Sequence, residues 1–137
     1  MSAAFDLSEF PLVRIHWGKE LTIADIDACY DQLIALQQKC VADGSRFVVV
    51  SWGADSISSK LRKHIADEAE RRVTPKLQRA SIATFVVVES PIMRGIVTAL
   101  KWMSPKMAII HPVATLEEGV REARRVLAEH GITRVAS

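Results

Sequence analysis

The sequence predicts an α/β protein with a largely parallel sheet, and three observations support this. Short apolar runs rich in β-branched residues alternate with longer stretches of helical periodicity, which is typical of βαβ units. Glycine, proline and capping residues separate the runs at the expected places. The 137 residues, 49% hydrophobic and 25% charged, suit a single domain over 1–137.

The first half of the chain predicts strands around one long helix. Residues 12–17 alternate apolar and polar side chains, as in a half-buried strand, and 5–11 are a candidate partner strand that Pro11 ends or confines to an edge. A capping-box-like start at Thr22 opens a helix that ends near Gly44. The apolar run 46–52 predicts a strand buried on both faces.

The second half continues the alternation of helices and strands. Apolar residues repeat every four positions over 57–77, and Pro75 either interrupts this second helix or opens a short separate one capped by Thr74. The next predictions are a buried strand at 81–88, a helix at 91–104 and a third interior strand at 106–111. A capping box at Thr115 opens the last helix, so the predicted order has four helices.

Composition and charge exclude several classes of protein. No apolar run approaches the 18 or more residues of a membrane span, and the first residues lack the basic start and apolar core of a signal peptide, so we expect a soluble cytoplasmic protein. The net charge of +2 is unevenly distributed, with a net charge of −4 over residues 1–59 and of +6 over residues 60–106. Nucleic-acid surfaces are usually more densely basic, and we expect no nucleic-acid partner.

Motifs for cofactors, metals and disulfides are missing from the sequence. There is no glycine-rich dinucleotide fingerprint and no P-loop, and the four histidines are far apart with no His-x-x-x-His or Cys-x-x-Cys pattern. We therefore expect no cofactor and no metal. Cys29 and Cys40 lie about 16 Å apart along one helix at 1.5 Å per residue. That separation is too long for a disulfide, so they are expected to be packed thiols.

Polar residues at the strand ends allow a hydrolase as one alternative. Ser51 or Ser90, with Glu89 and His111, would lie at the carboxyl edge of a parallel sheet, where ligands usually bind. No Gly-x-Ser-x-Gly elbow surrounds either serine. Ser90 is also explained as the N-cap of the helix that follows it.

The segment 55–59 contains the most suggestive polar cluster, which includes Asp55, Ser56, Ser58 and Ser59. It joins a strand to the start of a helix, where backbone amides favour negative charge, so a phosphate there would be stabilised. The alternative is simple N-capping by Ser56 or Ser58. The basic residues that follow are interleaved with acidic ones, which favours a solvated helix face over an anionic partner.

The helix at 91–104 is too apolar for a surface helix with one buried stripe. Either a neighbouring element buries it, or it presents a Met/Trp patch to a ligand, a lipid or a second subunit, and we favour self-association or partner docking. The predicted surface combines this helix with the 53–64 region. Its residues are Trp52, Asp55, Met93, Ile96, Val97, Leu100, Trp102 and Met103.

This arrangement resembles the STAS superfamily of bacterial anti-sigma-factor antagonists, in particular its SpoIIAA-like (STAS/SEC14-type) branch. The resemblance covers nearly the whole chain and depends on residues 17–22, 46–50, 85–91 and 116–123 and on the Asp55–Ser56 loop. It implies a single-domain β/α superhelix with four helices around a mixed, mainly parallel sheet of four to five strands. It also implies a regulatory serine in the loop before helix two, at Ser56 or alternatively at Ser58 or Ser59.

The resemblance implies a non-enzymatic regulatory module that acts through protein contacts, with a protein partner or a second copy as its target. One alternative is a carrier or sensor of an apolar small molecule or lipid, held between the two long helices by Trp52, Met93, Trp102 and Met103. The serine hydrolase is the remaining alternative.

Overall fold

The computed structural model describes residues 3–54, 58–103 and 108–132 and has an α/β fold. Its five strands form one sheet in the order β1-β2-β3-β4-β5, with β1 antiparallel to β2 and all other pairs parallel. The mixed, mainly parallel sheet is therefore confirmed. The strands are β1 (Ala3–Asp6), β2 (Leu12–Trp17), β3 (Phe47–Trp52), β4 (Ser81–Val87) and β5 (Ile110–Val113).

Five helices occur within the described residues, one more than the four expected. The additional helix is the short α3. Thr74 caps it and Pro75 is its first residue, which confirms the alternative prediction of a short separate helix at Pro75. No helix in the described part of the chain is both long and apolar enough to cross a bilayer. The helices are α1 (Ile23–Asp43), α2 (Ser59–Arg72), α3 (Pro75–Gln78), α4 (Pro91–Met103) and α5 (Leu116–Glu129).

Local sequence rules account for the limits of α1. The Thr22 side chain accepts a hydrogen bond from the backbone of Asp25, and the Asp25 carboxylate accepts one from the Thr22 backbone at 2.9 Å, which completes the predicted capping box. Gly44 ends the helix with φ +80°. Both cysteines of α1 are buried free thiols, as predicted.

Two apolar clusters cover the two faces of the sheet. On one face, α1 and α2 lie over side chains of β2 and β3, with Phe47 and Ile26 completely buried. On the other face, α5 packs closely on β3 and β4. A Cβ atom on Gly119 of α5 would lie 3.1 Å from Val50 Cγ1 and 3.3 Å from Val113 Cγ2, so the small residue permits this close packing.

Strand β4 differs from its prediction as a fully buried strand. Five of the six residues in β3 are buried, which confirms burial on both faces, whereas β4 alternates between buried and half-buried residues. Ala83 and Phe85 are buried beneath α5, and Thr84 and Val86 face the opposite side and are half-buried. The helices on that side therefore leave part of the sheet open.

Strand β5 corrects the prediction of a third interior strand at 106–111. It starts at Ile110 and lies at the edge of the sheet, paired with β4 alone. Pro112 is compatible with an edge strand because its missing N–H need not find a partner strand. Residues 106 and 107 lie outside the described residues.

Candidate functional site

The open part of the sheet forms the floor of a cleft of ≈ 440 Å³, which we call the apolar cleft. Helices α1 and α2 form its wall, and α4 contributes Val97. Its volume lies within the range of small-molecule sites in proteins. Representative lining residues are Leu33, Gln37, Val49, Ile65, Ala69, Thr84, Val86, Val97 and Ile110.

Most of the lining is carbon, and three polar groups of the lining already have partners within the protein. Trp17 Nε1 donates to Ser51 Oγ at 2.9 Å, and the Tyr30 hydroxyl donates to the carbonyl oxygen of Ile65 at 2.9 Å. Burial raises the pKa of the Cys29 thiol to about 12, so this side chain stays neutral at physiological pH. The exposed Arg62 and Glu70 also contribute to the lining, and the buried part of the cleft is largely apolar.

Gln37 is the exception among the polar groups of the lining. It is 2% exposed, and its Nε2 donates to Ser81 Oγ over a long 3.4 Å, whereas its Oε1 has no hydrogen-bond partner among the described residues. A buried acceptor without a partner costs about 1–3 kcal/mol. Among the described residues that line the cleft, Gln37 is thus the buried side chain with an unused hydrogen-bond acceptor.

Helix α4 directs polar side chains toward its own domain and apolar ones toward solvent. Arg94 Nη1 donates to the carbonyl oxygens of Val88 and Glu89 at 2.8 and 2.9 Å, and Lys101 Nζ lies 2.8 Å from His111 Nδ1. Ordinary surface helices have the opposite orientation. The outward residues form what we call the α4 strip: Ile92 (77% exposed), Met93, Ile96 and Trp102 (86% exposed).

The structure separates the residues expected to form one surface. Trp52 stacks on His16, with ring centroids 5.0 Å apart, and packs against the cluster beneath α5, away from the cleft. Neither Met93 nor Trp102 lines the cleft, so the predicted lining is wrong for these three residues; Val97 does line it. The side chains of Leu100 and Met103 lie outside the described part of the structure.

The proposed hydrolase residues do not assemble around Ser51. Its hydroxyl lies on the cleft side and accepts from Trp17, whereas the His111 ring lies 5.3 Å from that of Phe85, which belongs to the cluster on the opposite face. Ser90 Oγ accepts a hydrogen bond from the Met93 backbone and caps α4. Burial, together with the Lys101 charge, lowers the pKa of His111.

The predicted switch segment is described only in part. Asp55 and Ser56 lie outside the described residues. Ser58 is the N-cap of α2, and its hydroxyl accepts from the Leu61 backbone at 3.3 Å, as the capping alternative predicts. Ser59 is the exposed first residue of α2. Phosphorylation in this segment stays a prediction.

A cluster of titratable side chains joins α1 to α2, and no motif in the sequence indicated it. His64 Nε2 lies 2.8 Å from Asp27 Oδ1 and 3.5 Å from Glu68 Oε1. The hydrogen bond from His64 lowers the pKa of Asp27. Only the i,i+4 spacing of His64 and Glu68 on α2 gave a signal in the sequence, since Asp27 lies 37 residues before His64.

The basic residues of α2 are largely engaged in ion pairs. Lys63 pairs with Asp67 at 2.8 Å, and Arg72 pairs with Asp31 of α1 at 2.5 Å. These pairs support the expected solvated helix face.

Comparison of the chain with family models, with curated proteins and with solved structures finds no match. The resemblance to the STAS superfamily therefore stays a prediction, and function has to be argued from the geometry of the site.

Proposed function

We propose that this protein is a non-enzymatic binding module that holds a small apolar molecule in the apolar cleft. The observation that carries the proposal is the cleft itself, a space of ≈ 440 Å³ between α1, α2 and the half-buried floor of β4. Sites of this size commonly bury most of a small ligand. The ligand class follows from the lining, because most of its surface is carbon.

The few polar groups at the cleft favour a neutral ligand. The Ser51 and Tyr30 hydroxyls have partners within the protein, and the Cys29 thiol is protonated. Arg62 and Glu70 also line the cleft and are exposed. A charged ligand group placed against the buried, apolar part of the walls would lose its hydration without a compensating partner. An apolar molecule instead gains about 25 cal/mol for each Å² of apolar surface removed from water.

The neutral fluorophore N-phenyl-1-naphthylamine tests the proposal directly. We expect saturable binding at one site per chain, with emission that rises and shifts to shorter wavelength as the dye leaves water. Native mass spectrometry of freshly purified protein supplies an independent readout, in which a bound apolar molecule adds a discrete mass. Absence of saturable dye binding and of any added mass would contradict the proposal.

A second candidate function rests on the α4 strip, and we propose that a second copy of this chain covers it. The cations of α4 point inward, toward Val88, Glu89 and His111, so the outward strip carries no charge that would repel an identical strip. A two-fold symmetric contact pairs like with like and suits such a surface. Contact between copies would remove Trp102 and Ile92 from water. The regulatory role implied by the STAS resemblance would then operate through this surface.

Introducing a charge into the strip tests the second candidate. We expect sedimentation equilibrium to show a dimer for the wild-type chain and a predominantly monomeric Ile96→Asp variant. Loss of a hot-spot residue at the centre of an interface costs about 2 kcal/mol or more. That cost corresponds to a roughly thirtyfold weaker dimer.

Ala128→Asp is the matched control, because it places the same charge on a different helix, α5, away from the strip. Ala128 is exposed. This variant should remain dimeric. A monomeric wild-type chain at all accessible concentrations would refute self-association through α4.

A further inference from the structure

We propose that Asp27, His64 and Glu68 form a zinc site that joins α1 to α2. Each residue supplies one donor atom, Asp27 Oδ1, His64 Nε2 and Glu68 Oε1, and these three atoms all lie within 4.8 Å of one another. The site is separate from the apolar cleft, and the proposal does not depend on ligand binding there.

One of the donor separations, that between His64 and Glu68, fits a small tetrahedral ion. Zinc bonds of about 2.0–2.2 Å to nitrogen and oxygen place tetrahedral ligand atoms roughly 3.3–3.6 Å apart. His64 Nε2 lies 2.8 Å from Asp27 Oδ1 and 3.5 Å from Glu68 Oε1. The Asp27–His64 separation is shorter than this range by about 0.5 Å, and Asp27 is partly exposed, so its carboxylate has room to move around an ion.

Neighbouring arginines hold the acidic ligands in place and leave the carboxylate oxygens that face His64 available for the ion. Arg71 Nη2 lies 2.5 Å from Glu68 Oε2, so the other carboxylate oxygen, Oε1, is the one turned toward His64. Arg72 Nη1 donates to the Asp27 carbonyl oxygen at 3.4 Å, and its Nη2 pairs with Asp31. Such outer partners commonly orient the ligands of metal sites.

Charge and ligand type point to zinc. In their metal-binding form the three ligands, two carboxylates and one neutral imidazole, carry a charge of −2, and Arg71 offsets part of the charge on Glu68. Imidazole favours zinc over magnesium and calcium, which prefer sites built from oxygen alone. The hydrogen bond between His64 Nε2 and Asp27 Oδ1 contains one proton. Zn²⁺ would replace that proton between the two atoms, and the neutral imidazole would then carry its proton on Nδ1.

The cysteines do not compete well for the ion in the folded chain. Cys29 and Cys40 are 5% and 2% exposed, and burial raises the pKa of both thiols. Zinc binds the thiolate form, which these environments disfavour. His64 is therefore the softest available donor at the α1–α2 contact, where the sequence contains no paired His or Cys motif to reveal it.

Competition with a chromophoric zinc chelator tests the proposal on the full-length chain. We expect one Zn²⁺ per wild-type chain and at least about tenfold weaker binding in His64→Ala, since even partners of metal ligands contribute 10–100-fold to affinity. The thermal midpoint should rise with zinc in the wild type, because a ligand of the native state stabilises it, and should not rise in the variant.

Three comparisons keep the outcome decisive. His130→Ala removes an exposed histidine at the end of α5 and should bind zinc like the wild type. Glu68→Gln retains the shape of its side chain and should weaken binding even if His64→Ala is poorly folded. Equal affinity in wild type and His64→Ala, binding of Mg²⁺ as tight as that of Zn²⁺, or loss of zinc in Cys40→Ser alone would each overturn the assignment.

Discussion

Val86→Trp is expected to abolish binding of N-phenyl-1-naphthylamine while leaving the fold intact. Val86 lies half-buried in β4 on the floor of the apolar cleft, opposite the face covered by α5. The larger indole occupies space that the dye would otherwise fill. We expect at least a tenfold loss of affinity, which corresponds to about 1.4 kcal/mol. A fluorescence titration measures it, and circular dichroism checks the fold.

Val126→Trp is the matched control for this experiment. Val126 is a half-buried valine on α5 that packs against the cluster on the other face of the sheet. The same substitution there adds the same bulk and leaves the cleft open, so dye binding should persist. Equal binding by Val86→Trp and wild type would exclude the cleft as the dye site and remove the main support for the proposed function.

Gly53→Ala is expected to destabilise the protein by about 2–5 kcal/mol. Gly53 has φ +97°, and a left-handed backbone costs a residue with a side chain about 1–2 kcal/mol. An added Cβ would also lie 2.2 Å from the Trp17 carbonyl oxygen, so β2 or the turn after β3 would have to move. Overpacking of this kind costs typically 1–3 kcal/mol. Urea unfolding monitored by circular dichroism measures the loss.

Gly44→Ala separates the two causes. Gly44 has φ +80°, and nothing lies within 4 Å of a Cβ built there. This variant should therefore lose only the stability due to the left-handed backbone, about 1–2 kcal/mol. If Gly53→Ala and Gly44→Ala lose the same stability, the contact of the added Cβ with Trp17 does not contribute to the destabilisation.

The elements of the fold were largely predictable, because their signals are local. Thr22 and Asp25 are three residues apart, so the capping box that starts α1 can be read from the sequence, as can the stop at Gly44. The position of β5 in the sheet was not predictable in the same way. An apolar run at 106–111 suits an interior strand as well as the approach to an edge strand, and only pairing with β4 shows which it is.

The candidate sites depended on contacts between residues distant in the sequence. The excess of apolar residues in α4 is visible in the sequence, yet its outward orientation follows from the contacts of Arg94 with Val88 and of Lys101 with His111. The cleft lining was predicted incorrectly at Trp52 because strand alternation placed that side chain on the α5 face. The charged cluster needed α1 to bring Asp27 to His64.

The sequence by itself determined the α/β class, the order of strands and helices, and the caps that begin α1 and α5, because each depends on neighbouring residues along the chain. The tertiary structure alone decided where the helices leave the sheet open, which face of α4 meets solvent, and which acidic residues surround His64. The physical reason is that the cleft, the exposed strip and the cluster of donor atoms each depend on how separate helices and strands pack together. Local propensity specifies the elements and leaves the spaces between them undetermined.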